Sequence, residues 1–156
     1  MNKISKVLVM GGNGYVGNYV LKTMAKLHPE KAFIGMSRRG NQREGDKVVG
    51  QLENVCFIKG DALNPDSYKD QLKDVDAIIS TLGVLFPSSA YEKSYEAMNR
   101  DAAINLAKDL DKWAKEYDEH RQFVMLSSAR APIGNPAYLS CKFEAEKYIM
   151  NECSNL

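Results

Sequence analysis

The run "KVLVMGGNGYVGNYV" at residues 6–20 restricts the fold more than any other stretch of the chain. Val7, Leu8, Val9 and Met10 are apolar without alternation, as expected of a strand buried on both faces in a parallel sheet. The run then breaks at Gly11, Gly12, Gly14 and Gly17. Val16, Val20, Met24 and Leu27 recur every three or four residues, which predicts a helix from about Tyr15 to near "HPE". Each glycine of Gly12-x-Gly14-x-x-Gly17 has a physical task. Gly12 permits the tight turn, Gly14 lets a pyrophosphate approach the backbone, and Gly17 lets the helix pack closely on the sheet. The helix start adds unpaired N–H groups and a partial positive charge. The pattern points to a dinucleotide, with an empty strand-to-helix turn as the alternative.

The rest of the chain repeats the alternation. Strands are predicted at 32–37, in "VCFIKGD", at 76–81 and at 123–128. "RRGNQREGDK" reads as a flexible polar loop. "NPDSYKDQL" reads as a helix capped by Asn64 with Pro65 at its first position. A long helix runs from about Tyr91 to about Tyr117, with Tyr95, Met98, Ala102, Leu106, Leu110, Trp113 and Tyr117 on one stripe. A last helix starts close to Tyr138. This order implies an α/β fold: a doubly wound parallel (Rossmann) sheet of about five strands, order 3-2-1-4-5, with helices on both faces. The ligand crevice falls between strands one and four. Residues 1–156 read as a single NAD(P)-binding domain, without repeat or linker.

Composition narrows the function classes. A net charge of +1 gives no electrostatic footprint for nucleic acid or an anionic membrane. No apolar run approaches the roughly 20 residues of a membrane helix. "MNKISK" runs straight into the first strand, leaving no room for a secretory signal. Cys56, Cys141 and Cys153 lack metal-ligand spacing, so no metal site is expected and a reducing, intracellular compartment is favoured.

Specificity and chemistry are read from two further motifs. The second strand ends in Ser37, Arg38 and Arg39, where an NAD-preferring site usually carries an acid. A guanidinium suits a 2′-phosphate through charge-assisted contacts, so NADP(H) is favoured and NAD(H) is the alternative. Tyr138 and Lys142 sit four apart on the last predicted helix, with Cβ atoms about 5–6 Å from each other. An ammonium so placed favours the phenolate, fitting the tyrosine for proton transfer during hydride transfer, while the lysine can also hold the nicotinamide ribose. Ser127 or Ser128, at the end of strand five, can orient a substrate oxygen. A surface i,i+4 pair is the plain alternative.

The motifs "GGNGYVG", "SRRG", "KGDALNP", "ISTLG", "SYEAMNRDAAINLA", "FVMLSSA" and "YLSCKFEAE", in that order, resemble the atypical or extended short-chain dehydrogenase/reductase superfamily. The branch most similar includes the NADPH-binding accessory subunit of mitochondrial complex I and related ubiquinone-biosynthesis proteins. The resemblance implies that Gly11, Gly12, Gly14 and Gly17 line the pyrophosphate, with Asn13 and Tyr15 in the same loop. It implies that Arg38, with Arg39, takes the adenosine phosphate and that Asp61 and Ala62 lie beside the adenine. Thr81, Leu82 and Gly83 would follow the adenine-side ribose and phosphates, and Asn99 matches a structural asparagine. Tyr138 and Lys142 match the catalytic positions, with Ser127 or Ser128 as third member.

Two departures qualify the match. The serines lie closer to Tyr138 than is usual in the family. The resemblance also implies a further strand and a substrate-binding region after the last helix, which this sequence lacks. The first functional expectation is an NADP(H)-binding oxidoreductase acting on a carbonyl or alcohol. Its alternative is a non-catalytic NADP(H)-holding accessory or assembly subunit of a respiratory or ubiquinone-biosynthesis complex, with a protein partner at the C-terminal sheet edge. The resemblance favours a mitochondrial location, with a cytoplasmic one as the alternative.

Overall fold

The computed structural model describes residues 4–41, 51–84, 94–130 and 136–156. Its sheet has five parallel strands in the order β3-β2-β1-β4-β5, as the alternation predicts. The strands are β1 (Lys6–Met10), β2 (Ala32–Ser37), β3 (Val55–Lys59), β4 (Ala77–Ser80) and β5 (Gln122–Met125). The helices are α1 (Tyr15–Leu27), α2 (Ala102–Glu116) and α3 (Pro136–Glu152). Met10 pairs with Met36 on one side and Ser80 on the other. The ends of β1, β2 and β4 therefore meet, and the loops that follow them share one rim.

The unbroken apolar run of β1 follows from burial on both faces. Val7 and Val9 pack with Leu21, Ala25 and Phe33, under α1. Leu8 and Met10 pack with Met36, Tyr68, Leu72, Ile78, Leu106 and Leu110, under α2. Leu8, Leu21, Leu106 and Leu110 are wholly buried, each worth about 1.5–3 kcal/mol.

The structure corrects several element-level expectations. The buried face of α1 is Gly17, Asn18, Leu21 and Ala25, not the Val16–Val20–Met24–Leu27 stripe, and Leu27 is exposed. Val20 and Met24 pack only at the flank of that core. Gly17 brings the helix axis close to the sheet, so the line through Gly17 and Leu21 faces inward. Residues 65–72 form two 3₁₀ turns, Pro65–Ser67 and Lys69–Leu72, and Asn64 makes no side-chain cap. The Ser67 hydroxyl donates to Asn64 O at 2.7 Å and accepts from Asp61 N at 2.9 Å. Such side-chain bonds compete with helix formation, and buried Tyr68 pins the break between the turns.

The long helix is interrupted by a π turn at Ala97–Asp101 before α2; the predicted start at Tyr91 lies outside the described residues. β5 stops at Met125, so Leu126, Ser127 and Ser128 lie beyond the strand. Of the predicted flexible loop, residues 42–47 lie outside the described residues. No helix among the described residues is long and apolar enough to cross a membrane. No group of three or more His, Cys, Asp or Glu side chains among them could hold a metal.

Candidate functional site

A groove of about 710 Å³ opens at the shared rim of β1, β2 and β4. Gly11 adopts φ +85°, so the left-handed turn out of β1 belongs to Gly11 rather than Gly12. The N–H groups of Gly11 and Gly12 both donate to Met36 O, at 2.9 and 3.1 Å, fixing the bend against β2. A methyl group on Gly17 would land on Gly11 O and lie 2.9 Å from Thr81 Oγ1. The start of α1 is thus packed onto the bend. Gly14 is the N-cap of α1 in extended conformation, without a side-chain cap or an acid in the first turn. The first N–H groups of α1 have no partner inside the helix, and Tyr15, Val16 and Gly17, which carry them, line the groove with no acid in the helix's first turn.

The bend supplies Gly11, Asn13, Gly14, Tyr15 and Gly17 to the groove lining. Gly12 is outside it, its Cα side pressed on Gly35 of β2. Ser37, Arg38 and Arg39 line the β2 end of the groove. Ser37 is buried, and its hydroxyl accepts from Gly40 N at 3.2 Å. That bond shapes the turn carrying the arginines. Asp61 and Ala62 line the β3 side, where Asp61 Oδ1 accepts from Leu63 N at 3.1 Å. Thr81, Leu82 and Gly83 form the wall after β4, and Thr81 Oγ1 donates to Met10 O at 2.9 Å.

Met10, Val16, Gly60, Leu63, Asn64, Val84 and Met98 also line the groove and were not foreseen. Met10, Val16, Gly60, Leu63 and Val84 adjoin residues that were, and Asn64 follows Leu63, so the loops' continuity was the missed signal. Met98 comes from the turn before α2, and no local pattern announces it.

Tyr138, Lys142, Ser127 and Ser128 do not line this groove. Tyr138, half-buried, sets its ring edge-on to Tyr95 with centroids 6.4 Å apart. Lys142 is buried, and its ammonium donates to Leu82 O at 2.8 Å and Leu126 O at 3.0 Å. Burial holds the Lys142 ammonium below the usual lysine range, against an opposing pull from Glu146. Its Nζ would lie 3.3 Å from a methyl group placed on Gly83, so it stands directly behind the groove wall. The Ser128 hydroxyl donates to Arg130 O at 2.7 Å, whereas Ser127 Oγ is buried with no hydrogen-bond partner among the described residues. Burial also raises the Cys141 thiol above its usual range, so the neighbour of Lys142 rests as a neutral thiol.

Comparison with known proteins agrees with this architecture. An isoflavone reductase homolog of Nicotiana tabacum is 39% identical over 82 residues, covering 51% of this chain and 26% of that protein. MIOREX complex component 2 of Saccharomyces cerevisiae is 24% identical over 184 aligned positions, covering 92% of this chain and 66% of that protein. A short-chain dehydrogenase of Leptospira borgpetersenii with bound NAD+ superposes with a TM-score of 0.71 at 16% identity, covering 94% of this chain and 63% of that one. That likeness speaks to fold. The match to the reductase homolog spans about a quarter of its length. Residues 7–148, which run from β1 into α3 and include the whole described groove, match the model of the NAD dependent epimerase/dehydratase family, and this chain belongs to that family.

Proposed function

We propose that the groove binds NADP(H) and that the chain is a short-chain-dehydrogenase-like oxidoreductase. One observation carries the reading. The uncapped start of α1 and the Gly11–Gly17 bend form one wall of a groove whose β2 end presents Arg38 and Arg39. N–H groups at a helix start suit a pyrophosphate, and guanidinium groups suit a 2′-phosphate. The glycine cradle fits the group: the turn requires Gly11, and a Cβ on Gly14 would meet only Gly11 O at 3.1 Å. Asp61 and Ala62 are assigned to the adenine, and Thr81, Leu82 and Gly83 to the adjoining ribose and phosphates.

When bound, the nicotinamide supplies or accepts the hydride. The chain's own residues hold the nucleotide and move a proton. Tyr138 exchanges that proton with the substrate oxygen, and Lys142 keeps a positive charge on the neighbouring helical turn. Ser127, whose buried hydroxyl lacks a partner among the described residues, is the better of the two serines for meeting a substrate oxygen. The test is calorimetric titration with NADPH and NADH, followed by turnover of model carbonyls. NADPH is expected to bind, and Tyr138→Phe to abolish turnover with binding retained. Binding of neither nucleotide to folded protein overturns the assignment.

A second reading, a cofactor-holding accessory or assembly subunit, is favoured by the alignment of 92% of this chain to a complex component. That Tyr138 is not among the groove's lining residues points the same way. Val124 on the outer strand β5 and Leu126 just beyond its end, both exposed, are the surface such a partner would cover. The mitochondrial location implied by the resemblance goes with this reading. It predicts stoichiometric NADP(H) binding without turnover, and release from the complex when Val124 and Leu126 are replaced by aspartate.

A further inference from the structure

The β3 side of the groove is held by a helix that does not line it. Asn105, Asp109 and Trp113 follow one another at intervals of four along one face of α2. The first and last hold carbonyls of the segment after β3: Asn105 Nδ2 donates to Ala62 O at 3.1 Å, and Trp113 Nε1–H donates to Lys69 O at 2.9 Å. Between them, the Asp109 carboxyl faces the hydroxyl of Tyr68. Tyr68 is buried, and its Cβ would lie 3.2 Å from a methyl group placed on Gly60, a lining residue. It therefore stands directly behind the groove. The Ser67 hydroxyl beside it accepts from Asp61 N at 2.9 Å, so Tyr68 and the wall move as one piece.

The Tyr68 hydroxyl and Asp109 Oδ2 are both buried, and neither has a formed hydrogen bond among the described residues. Burial, then the Asp109 carboxylate and then Asp61 hold the phenol far above the usual tyrosine range, so it keeps its proton and stays a donor. Burial raises the Asp109 carboxyl above the ordinary 3.8, against the pull of Tyr68, Lys112, Lys69 and Lys108. Stability is lost as pH rises from 3.8 to that raised value, so at neutral pH the charge on Asp109 costs folding free energy. A buried donor and a buried acceptor that face each other are satisfied together by closing on one another. Closure moves Tyr68 toward α2.

We propose that Asp109 is a positioning residue for the adenosine half of the nucleotide: its charge draws the Tyr68 hydroxyl toward α2 and so sets the groove wall at Gly60–Ala62. The nucleotide part of this inference rests on the reading of the groove given above. It gives a use to a charge that folding alone disfavours.

The experiment compares wild type, Tyr68→Phe, Asp109→Asn and the double variant by titration with 2′,5′-ADP, which carries the adenosine half and lacks the nicotinamide ribose. Each single variant is expected to lose about tenfold in affinity, the size of one charge-assisted hydrogen bond, and the double variant no more than either. Asp109→Asn should leave the melting temperature at neutral pH no lower than wild type, because it removes a costly charge. The advantage of wild type over Asp109→Asn should shrink as pH falls, in step with the Asp109 carboxyl titration read by NMR. Full affinity in either single variant, additive losses, a lowered melting temperature in Asp109→Asn, or a profile that departs from that titration overturns the proposal. If wild type binds no 2′,5′-ADP, the groove assignment fails, while amide exchange at Gly60–Ala62 still decides the positioning: it must be faster in Asp109→Asn. Should the variants fail to fold, wild type serves. Saturating 2′,5′-ADP must then shift the Asp109 carboxyl resonance, and an unmoved resonance overturns the proposal.

Discussion

Arg38 is the residue on which cofactor choice turns. It lines the groove at the end of β2, in a turn shaped by the Ser37 hydroxyl. A hydrogen bond to a charged group is worth about 1.5–3 kcal/mol, so Arg38→Ala is expected to weaken NADPH binding by about 10- to 150-fold. NADH, without the 2′-phosphate, should change little; equal loss for both would remove the NADP(H) preference. Gly17 makes a different prediction. Its added methyl would strike Gly11 O and crowd Thr81 Oγ1, and overpacking of this kind costs about 1–3 kcal/mol. Gly17→Ala should lower the melting temperature and blunt the further rise produced by NADPH. At this scale the sequence was explicit wherever backbone geometry demands one residue type. The glycine bend, the paired arginines and the loop after β4 all line the groove. It was silent where a side chain arrives from a distant element, as with Met98, and it could not show Lys142 turned toward two carbonyls.

At the scale of elements, the ladder needs its strands started in register, and Asp76 does this for β1 and β4. Its Oδ2 accepts from Ser5 N, Ser5 Oγ and Lys6 N, each at 2.8 Å. Burial alone would raise the Asp76 carboxyl, but the donors of Lys6 and Ser5 outweigh it and hold it below the ordinary 3.8. A carboxyl depressed in the folded state adds stability that is present above 3.8 and lost as pH falls through the lower folded value. Asp76→Ala should lower the unfolding free energy by about 1.5–3 kcal/mol near neutral pH. The gap from wild type should narrow in acid; urea titrations at both pH values measure it, and a gap independent of pH would refute the role. Elements with strong patterns were legible: all five strands and their order follow from apolar runs and alternation. The 3₁₀ turns at 65–72 and the π turn at Ala97–Asp101 were not. Both arise from long-range needs, the burial of Tyr68 and the reach of Asn99 to Val84, which leave no period in the sequence.

At the scale of the molecule, two apolar layers share one sheet. Leu8 and Met10 belong to one layer and Val7 and Val9 to the other, so neither layer can open without stripping a face from β1. That coupling supports the proposal that residues 1–156 fold as a single unit, and it can be tested with the chain's lone tryptophan. Trp113 packs against the α2-side layer, stacks on Tyr117 with ring centroids 6.0 Å apart, and donates Nε1–H to Lys69 O at 2.9 Å. Its fluorescence therefore reports that layer, while far-UV circular dichroism reports all helices and strands. The two signals should show the same midpoint in urea. A nucleotide that binds only the folded state should move both together, by about 2.7 kcal/mol at a hundredfold excess over Kd. Separate midpoints, or a shift in one signal alone, would mean that the α1 and α2 layers open independently. In that case the bend at Gly11–Gly17 and the wall at Leu82–Val84 would not be held by a common core.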